Sequence, residues 1–251
     1  MPSPRTGQPN MIELRQYTLH PGRRDELIAL FDREFVEPQE EAGMVLLGQF
    51  RDLDDPDRFV WLRGFADMAT RQQSLTAFYG GPVWAAYRDQ ANATMVDSDD
   101  VLLLRPVPGG APFAVRSVER PPVGAAAPDR LVVATIWFFP PPKETDTVQH
   151  EGIDLVRDEL VPVLGETGPS PLAVLVTEAA ENTFPRLPVR TGENVVVVLT
   201  SYVDDAAYRQ HLADLQAHRT VREKILPALA RIQSEAPQVL RLAPTGRSLL
   251  H

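Results

Sequence analysis

The feature that most constrains the fold of this 251-residue chain is an internal repeat. Each half contains a short apolar strand that runs into aspartate and a helix, followed by a second apolar strand that ends in proline. Phe65 in the first half corresponds to Tyr202 in the second, and Pro106 corresponds to Pro244, so the offset stays near ~137 residues. A constant offset predicts two copies of one fold unit.

Hydrophobic periodicity predicts the same order of elements in both halves. In the first half we expect strands at 12–19, 44–50, 59–65 and 101–106, and helices at 23–41, from Thr70 onward and from Pro82 onward. Thr70-Arg-Gln-Gln73 has the form of a capping box, which predicts Thr70 as the helix cap. In the second half we expect strands at 131–139, 172–178, 194–202 and 239–242, and helices at 147–164, 205–215 and 220–234. Each half then reads βαββαβ, which is the ferredoxin-like arrangement.

These elements predict a flexible leader at 1–10, a first ferredoxin-like domain at 11–107 and a second at 131–245. A linker rich in Pro, Gly and Ala would join them at 108–130, and a short tail would follow at 246–251. A four-stranded sheet with helices on one face must bury its other face. We therefore expect an α+β fold in which two tandem units pack sheet to sheet as an intramolecular dimeric α+β barrel, with a cavity between the sheets.

Composition narrows the possible partners. The net charge of −9 argues against nucleic acid and against an anionic membrane surface, because both attract basic patches. There is no cysteine, which excludes disulfides and thiolate chemistry. No signal-peptide pattern opens the chain, and no apolar run approaches the roughly 20 residues that span a bilayer. We expect a cytoplasmic protein.

Alternation in two strands of the first half brings polar and aromatic residues together. Glu13, Arg15 and Tyr17 share one face of the first strand, whereas Ile12 and Leu14 share the other, which we expect to pack on the helices. The third strand carries a matching face made of Trp61, Arg63 and Phe65. We therefore expect these six side chains to point into the cavity between the sheets.

Guanidinium groups suit a planar carboxylate or an enolate oxygen, and a tyrosine hydroxyl can donate to a developing oxyanion. We therefore assign catalysis to Arg15, Tyr17, Arg63 and Glu13. The alternative is structural, because a buried ion pair between Glu13 and an arginine would also satisfy the sheet interface. The sequence leaves both interpretations open.

The second half carries an apolar face at the equivalent positions, Val133, Thr135, Trp137 and Phe139. A pocket with one polar wall and one apolar wall is typical of small-molecule sites. Trp61, Phe65, Trp84, Tyr87, Thr135 and Trp137 are therefore the predicted substrate-binding residues. Simple core filling by aromatic side chains is the alternative, and we favour it for Phe139.

We expect no metal and no cofactor. The five histidines show no metal-ligand spacing, and none lies on a predicted inner strand where a haem would need an axial ligand. The glycine pairs Gly80-Gly81 and Gly109-Gly110 lack the setting of a phosphate-binding loop.

Three stretches of the first half resemble one family. Ile12-Glu-Leu-Arg-Gln-Tyr-Thr-Leu19, Phe59-Val-Trp-Leu-Arg-Gly-Phe65 and Phe78-Tyr-Gly-Gly-Pro-Val-Trp84 are similar to the NIPSNAP family, over about residues 11–106. The second half has lost the Glu-Leu-Arg-x-Tyr signature. The resemblance implies the dimeric α+β barrel superfamily, which includes cofactor-free quinol monooxygenases, polyketide cyclases, muconolactone isomerases and haem-binding enzymes. It implies no single activity, since fold does not decide function.

The sequence supports a functional hypothesis and two alternatives. The chain would be a cofactor-independent enzyme of secondary metabolism that oxygenates, cyclises or isomerises a small aromatic or polyketide-like intermediate. Alternatively, it binds a small molecule or acts as a scaffold without turnover, or it acts through its outer helices. A homo-oligomer is also expected.

Overall fold

Eight strands form one closed barrel in the computed structural model, which describes residues 8–109, 119–141 and 148–251. Around the barrel the strand order is β1-β3-β2-β8-β5-β7-β6-β4, and all neighbours are antiparallel. The strands are β1 (Met11–Leu19), β2 (Val45–Asp52), β3 (Arg58–Phe65), β4 (Met95–Pro106), β5 (Leu131–Phe138), β6 (Ala173–Thr177), β7 (Val195–Tyr202) and β8 (Gln238–Pro244).

Helices cover the outside of the barrel, and within the described residues three π-helical turns adjoin them. The helices are α1 (Arg24–Leu30), α2 (Val36–Glu41), α3 (Met68–Tyr79), α4 (Pro82–Asn92), α5 (Val148–Asp154), α6 (Val161–Thr167), α7 (Asp205–Ala217) and α8 (Leu226–Ile232). The π-helical turns are Phe31–Phe35, Leu155–Leu160 and Val221–Ile225. The α+β class and the predicted order of elements agree with these positions.

The order βαββαβ occurs in each half, and details repeat with it. β3 and β7 both run into an aspartate that caps the next helix, Asp67 for α3 and Asp204 for α7. Each side chain accepts a hydrogen bond from the backbone N–H three residues later, at 2.7 Å in both cases. The predicted capping role of Thr70 was wrong, because the cap is Asp67 and Thr70 is its donor.

Apolar side chains, most of them aliphatic, fill the barrel interior. Every strand contributes to one buried cluster that includes Ile12, Leu14 and Leu62 from the first half and Ala134 and Val197 from the second. These side chains are at most 5 % exposed. The expectation that Ile12 and Leu14 face the helices was therefore wrong, and so was the predicted cavity between the sheets.

The polar face of β1 instead lies outside the barrel, beneath the helices of the first half. Tyr17, Trp61 and Phe65 pack there with apolar residues of α1, α2 and α3. The physical reason is that both faces of a barrel strand are buried, so alternation alone does not say which face is inner. In the first half, the polar face of β1 and most of the aromatic strand residues lie in the layer between the strands and the helices, whereas the interior is mainly aliphatic.

The final residues pack against the barrel. Leu250 joins the interior cluster, and Arg247 is buried with its guanidinium on Glu37 and on the carbonyl of Pro121. Residues 246–251, expected as a tail, are thus part of the fold. The expected leader and linker fall partly outside the described residues, at 1–7 and 110–118. Among the described residues, none of the helices has the length and apolarity needed to cross a membrane.

Candidate functional site

Three arginines donate to one buried carboxylate on the outer face of the strands of the first half. Glu13 of β1 lies opposite Arg63 of β3 in the strand register. Its Oε2 accepts from Arg15 Nη1 and from Arg63 Nε, both at 2.7 Å, and its Oε1 accepts from Arg71 Nε of α3 at 2.6 Å. All four side chains are at most 1 % exposed. We call these four residues the arginine cluster.

The electrostatics of the arginine cluster are dominated by positive charge. Burial opposes ionisation of Glu13, but the three guanidiniums outweigh it and hold the pKa of that carboxyl far below its usual range. Within the described part of the chain, no second carboxylate pairs with these arginines. One negative charge against three positive ones leaves two positive charges in excess, in surroundings that strengthen electrostatic interactions.

Aromatic rings surround the arginine cluster. The guanidinium carbon of Arg15 lies 5.5 Å from the centroid of the Trp61 ring, and that of Arg63 lies 5.0 Å from it. Arg15 Nε also donates to the Tyr17 hydroxyl at 3.1 Å. Tyr79, at the end of α3, has its hydroxyl 3.5 Å from Arg63 Nη1. Ring faces add cation–π attraction but no formal negative charge.

Several buried polar atoms of this region have no hydrogen-bond partner among the described residues. Among them are Nη2 of Arg63, Nη2 of Arg71 and Nε1 of Trp61. The other guanidinium nitrogens of Arg63 donate to Glu13 and Gln39. Those of Arg71 donate to Glu13 and to residues of a loop from the second half. Buried donors are normally paired, so this group of free N–H donors indicates capacity for an acceptor.

The structure brings together only part of the predicted site. Glu13, Arg15, Tyr17, Trp61 and Arg63 form one cluster, with Phe65 beside Arg63 at 5.7 Å. Trp84 of α4 joins the same aromatic layer, 4.9 Å from Tyr79, and Tyr87 is half-buried against it. Thr135 and Trp137 are on the outer face of the second half, where Trp137 packs with the helices there. They form no common pocket wall with the first set.

Three residues of the site were not predicted from the sequence: Arg71, Gln39 and Tyr79. Arg71 had a detectable signal, because it shares the inward helical stripe of α3 with Ser74, Leu75 and Phe78. A charged residue at an inward helical position needs a buried partner. The loop residues that contact Arg71 gave no signal, since no periodicity places a loop in space.

The equivalent region of the second half contains a different polar network. Val133 lies opposite Thr200, as Glu13 lies opposite Arg63, so the arginine cluster has no counterpart there. His211 of α7, 3 % exposed, lies between Tyr202 and Thr167. Its Nδ1 is 2.8 Å from the Tyr202 hydroxyl, and its Nε2 is 3.0 Å from Thr167 Oγ1.

The donors and acceptors of that network can be assigned. Thr167 Oγ1 donates to the carbonyl of Val163 at 2.8 Å, so it can only accept from His211 Nε2–H. Nδ1 then accepts from Tyr202. The network is complete with a neutral imidazole, and burial lowers the pKa of His211 accordingly.

The first half of the chain is similar to a known protein family. A family model of NIPSNAP matches residues 12–109, which include Glu13, Arg15, Arg63 and Arg71. The first half of this chain is therefore similar to NIPSNAP proteins. The match agrees with the resemblance in β1, β3 and α3. A search of curated proteins finds no match to this chain.

Solved structures with similar folds cover nearly the whole chain. An anthrone oxidase-like protein aligns with a TM-score of 0.61 at 12 % identity, covering 97 % of this chain and 94 % of its own. A "putative monooxygenase" from Fusobacterium nucleatum gives 0.56 at 9 %, covering 95 % and 93 %. Another so named, from Lactobacillus acidophilus, gives 0.52 at 13 %, covering 95 % and 94 %. At these identities the likeness concerns the fold alone.

Proposed function

We propose that this chain is a cofactor-independent enzyme that acts on a small aromatic or polyketide-like intermediate by oxygenation, cyclisation or isomerisation. The proposed site lies between the strands of the first half and the helices that cover them. It does not lie in the barrel interior, where a cavity was expected. The observation that carries the proposal is the arginine cluster, in which three buried guanidiniums share a single carboxylate. Its excess of two positive charges would stabilise an enolate or phenolate that forms during the reaction.

The residues of the arginine cluster and its neighbours would have different roles in the reaction. Arg63 and Arg71 would bind the anionic oxygen through their free Nη2 groups, and the rings of Trp61 and Tyr79 would contact the aromatic part. Arg15 would hold Tyr17, whose hydroxyl can donate a hydrogen bond. Glu13 is a positioning residue rather than a base, because its depressed pKa makes its carboxylate a weak proton acceptor.

Similarity of fold supports the proposal that this chain is an enzyme. Proteins named for monooxygenase or anthrone oxidase activity share the barrel over almost their full length. We further propose that each half is a ferredoxin-like unit, so the barrel is an intramolecular version of a dimeric α+β barrel. A cytoplasmic location, a role in secondary metabolism and homo-oligomerisation remain proposals.

A non-catalytic role is the second candidate, and one observation favours it. Glu13, Arg63 and Arg71 are fully buried, so no substrate reaches them without movement of the covering residues. A closed cluster of this kind also suits a protein that captures a ligand or only stabilises its own sheet. The same chain would then bind small anions without turning them over, or not bind them.

The test is aerobic turnover of phenols, quinols and anthrone-type compounds, with ligand binding followed by thermal shift. Saturation at 100 times the dissociation constant adds about 2.7 kcal/mol of stability, which is readily seen. Arg63→Lys keeps the charge but removes the planar fork, so we expect kcat/KM to fall about a hundredfold while the fold is retained. Thr200→Ser, at the equivalent position of the second half, is the matched control. Full turnover by Arg63→Lys contradicts the proposed site, and binding without turnover favours the second candidate.

A further inference from the structure

A loop of the second half covers the arginine cluster of the first. The loop, residues 178–194, joins β6 to β7. Its ends are fixed to β4, because Glu178 N donates to the carbonyl of Leu103 at 2.8 Å and Arg190 N donates to that of Val101 at 2.9 Å. The residues between these two anchors reach across to α3. We call Asn182, Thr183 and Phe184 the plug.

The plug makes polar contacts with Arg71 and an aromatic contact with Tyr79. Arg71 Nη1 donates to Asn182 Oδ1 at 3.0 Å and to Thr183 Oγ1 at 3.4 Å. The ring of Phe184 lies 5.9 Å from the ring of Tyr79, with 30° between their planes. Two oxygens on a guanidinium beside a phenyl ring have the chemistry of an aromatic carboxylate.

The plug also separates two pockets. One, of about 460 Å³, is lined by Asn182 together with Leu103, the neighbour of Glu13 in the sheet. The other, of about 440 Å³, is lined by Phe184 with Tyr79 and Trp84. Because the three plug residues are consecutive, displacement of this short segment would remove one wall from each pocket and uncover Arg71, which the plug contacts.

We propose that the plug occupies the place of an aromatic carboxylate ligand, which displaces it on binding. This inference rests on the proposed function, since it concerns the same arginines. The ligand carboxylate takes over the guanidinium of Arg71 from Asn182 and Thr183. The ligand ring takes over the contact that Phe184 makes with Tyr79.

Charge explains why a ligand can compete with a covalently attached plug. The oxygens of Asn182 and Thr183 are neutral, so the cluster keeps both excess positive charges while the plug is in place. Arg71 Nη2 also has no hydrogen-bond partner in the part of the chain that the structure describes. A carboxylate supplies a negative charge and can accept from both Nη1 and Nη2, which makes charge-assisted hydrogen bonds of about twice the strength of neutral ones.

The plug is held by hydrogen bonds within its own loop and by hydrogen bonds to α3. Asn182 Nδ2 donates to the carbonyl of Leu187 at 2.9 Å, and Phe184 N donates to Asn182 Oδ1 at 3.0 Å. Thr183 Oγ1 also donates to the carbonyl of Met68 in α3 at 3.3 Å. Because the plug's hydrogen bonds to described residues outside the loop all go to Met68 and Arg71 of α3, the plug can leave its place without unfolding the barrel. Release would expose the amides that these bonds protect.

The experiment measures binding of benzoate and 2-naphthoate by titration calorimetry to the full chain. The double variant Asn182→Ala/Phe184→Ala removes the competing groups, so we expect its dissociation constant for either acid to fall at least tenfold below that of the wild type. Pro188→Ala, an exposed position of the same loop, is the matched control and should bind like the wild type. Arg71→Met should abolish binding in the wild-type and the double-variant background.

A second measurement tests the plug without any substitution. Amide hydrogen exchange of residues 182–187 in the wild type should accelerate at least tenfold when 2-naphthoate is added, because the bonds of Asn182 are broken. Ordinary ligand binding beside an unmoved loop would slow this exchange instead.

The outcomes separate the two proposals. If the acids bind equally to the wild type and to the double variant, and Arg71→Met abolishes binding, the plug is overturned while the proposed function stands. If neither protein binds either acid, or if Arg71→Met binds as well as the wild type, the proposed site itself is overturned.

Discussion

Glu13 determines whether three arginines can stay buried in the first half. Each guanidinium donates to one of its two oxygens, and no other carboxylate of the described residues replaces it. A buried ion pair is costly to assemble but more costly to break, because the remaining charges stay in the interior. Even a conservative substitution of Glu13 should therefore lower the free energy of unfolding strongly.

Glu13→Gln keeps the shape of the side chain and removes its charge. We expect the free energy of unfolding to fall by about 3–5 kcal/mol, since three guanidiniums would then repel one another without a counter-charge. Urea denaturation at neutral pH measures the loss. Glu223→Gln, at an exposed ion pair with Arg219, should change stability little. A loss at Glu13 as small as that at Glu223 would contradict the description of the cluster.

His211 should make stability depend on pH. Burial lowers its pKa in the folded protein below the usual 6.5. As the pH falls through that value, the unfolded chain therefore binds the proton first and the free energy of unfolding decreases. We expect His211→Asn to show a smaller decrease between pH 7 and pH 5, measured by urea denaturation at several pH values. An unchanged slope would show that another group causes it.

The helices and strands were well predicted from the sequence, because apolar periodicity and turn residues act locally. The offset seen in Phe65 and Tyr202 also holds in the structure, where these residues end β3 and β7. The direction of each strand face was not predictable, since β1 buries both Ile12 and Glu13. Hydropathy distinguishes buried from exposed, but it cannot distinguish the interior of a barrel from the layer under its helices.

The two helix caps provide a test of the repeat at this scale. Asp67→Ala and Asp204→Ala each remove the acceptor of one backbone N–H at the start of a helix. We expect similar decreases in melting temperature of about 2–4 °C for each variant. Thr70→Ala should have a smaller effect, because only its backbone N–H takes part. A larger effect at Thr70 than at Asp67 would restore the capping role first expected of Thr70.

Two segments that the sequence predicts to be a tail and a loop make buried contacts in the folded chain. Residues 246–251 pack against the barrel, and Leu250 lies among interior residues from both halves. Neither the burial of this segment nor the path of the loop 178–194 follows from local pattern, because both depend on contacts distant in the chain.

Leu250→Ala should lower the free energy of unfolding by about 2–4 kcal/mol, since it empties a buried position. Leu226→Ala, at an exposed position of α8, serves as the control and should cost much less. Chemical denaturation of both variants gives the comparison. Equal losses would show that the end of the chain does not support the barrel.

Strand pairing between β2 and β8 and between β4 and β6 joins the two halves into one continuous sheet. A symmetric pair of identical subunits would carry two identical anion sites, each with its own loop. In this chain the first half has the arginines and the second half provides the loop that covers them. The stoichiometry implied by this asymmetry is one ligand per chain, so a saturating titration should end at a molar ratio of one.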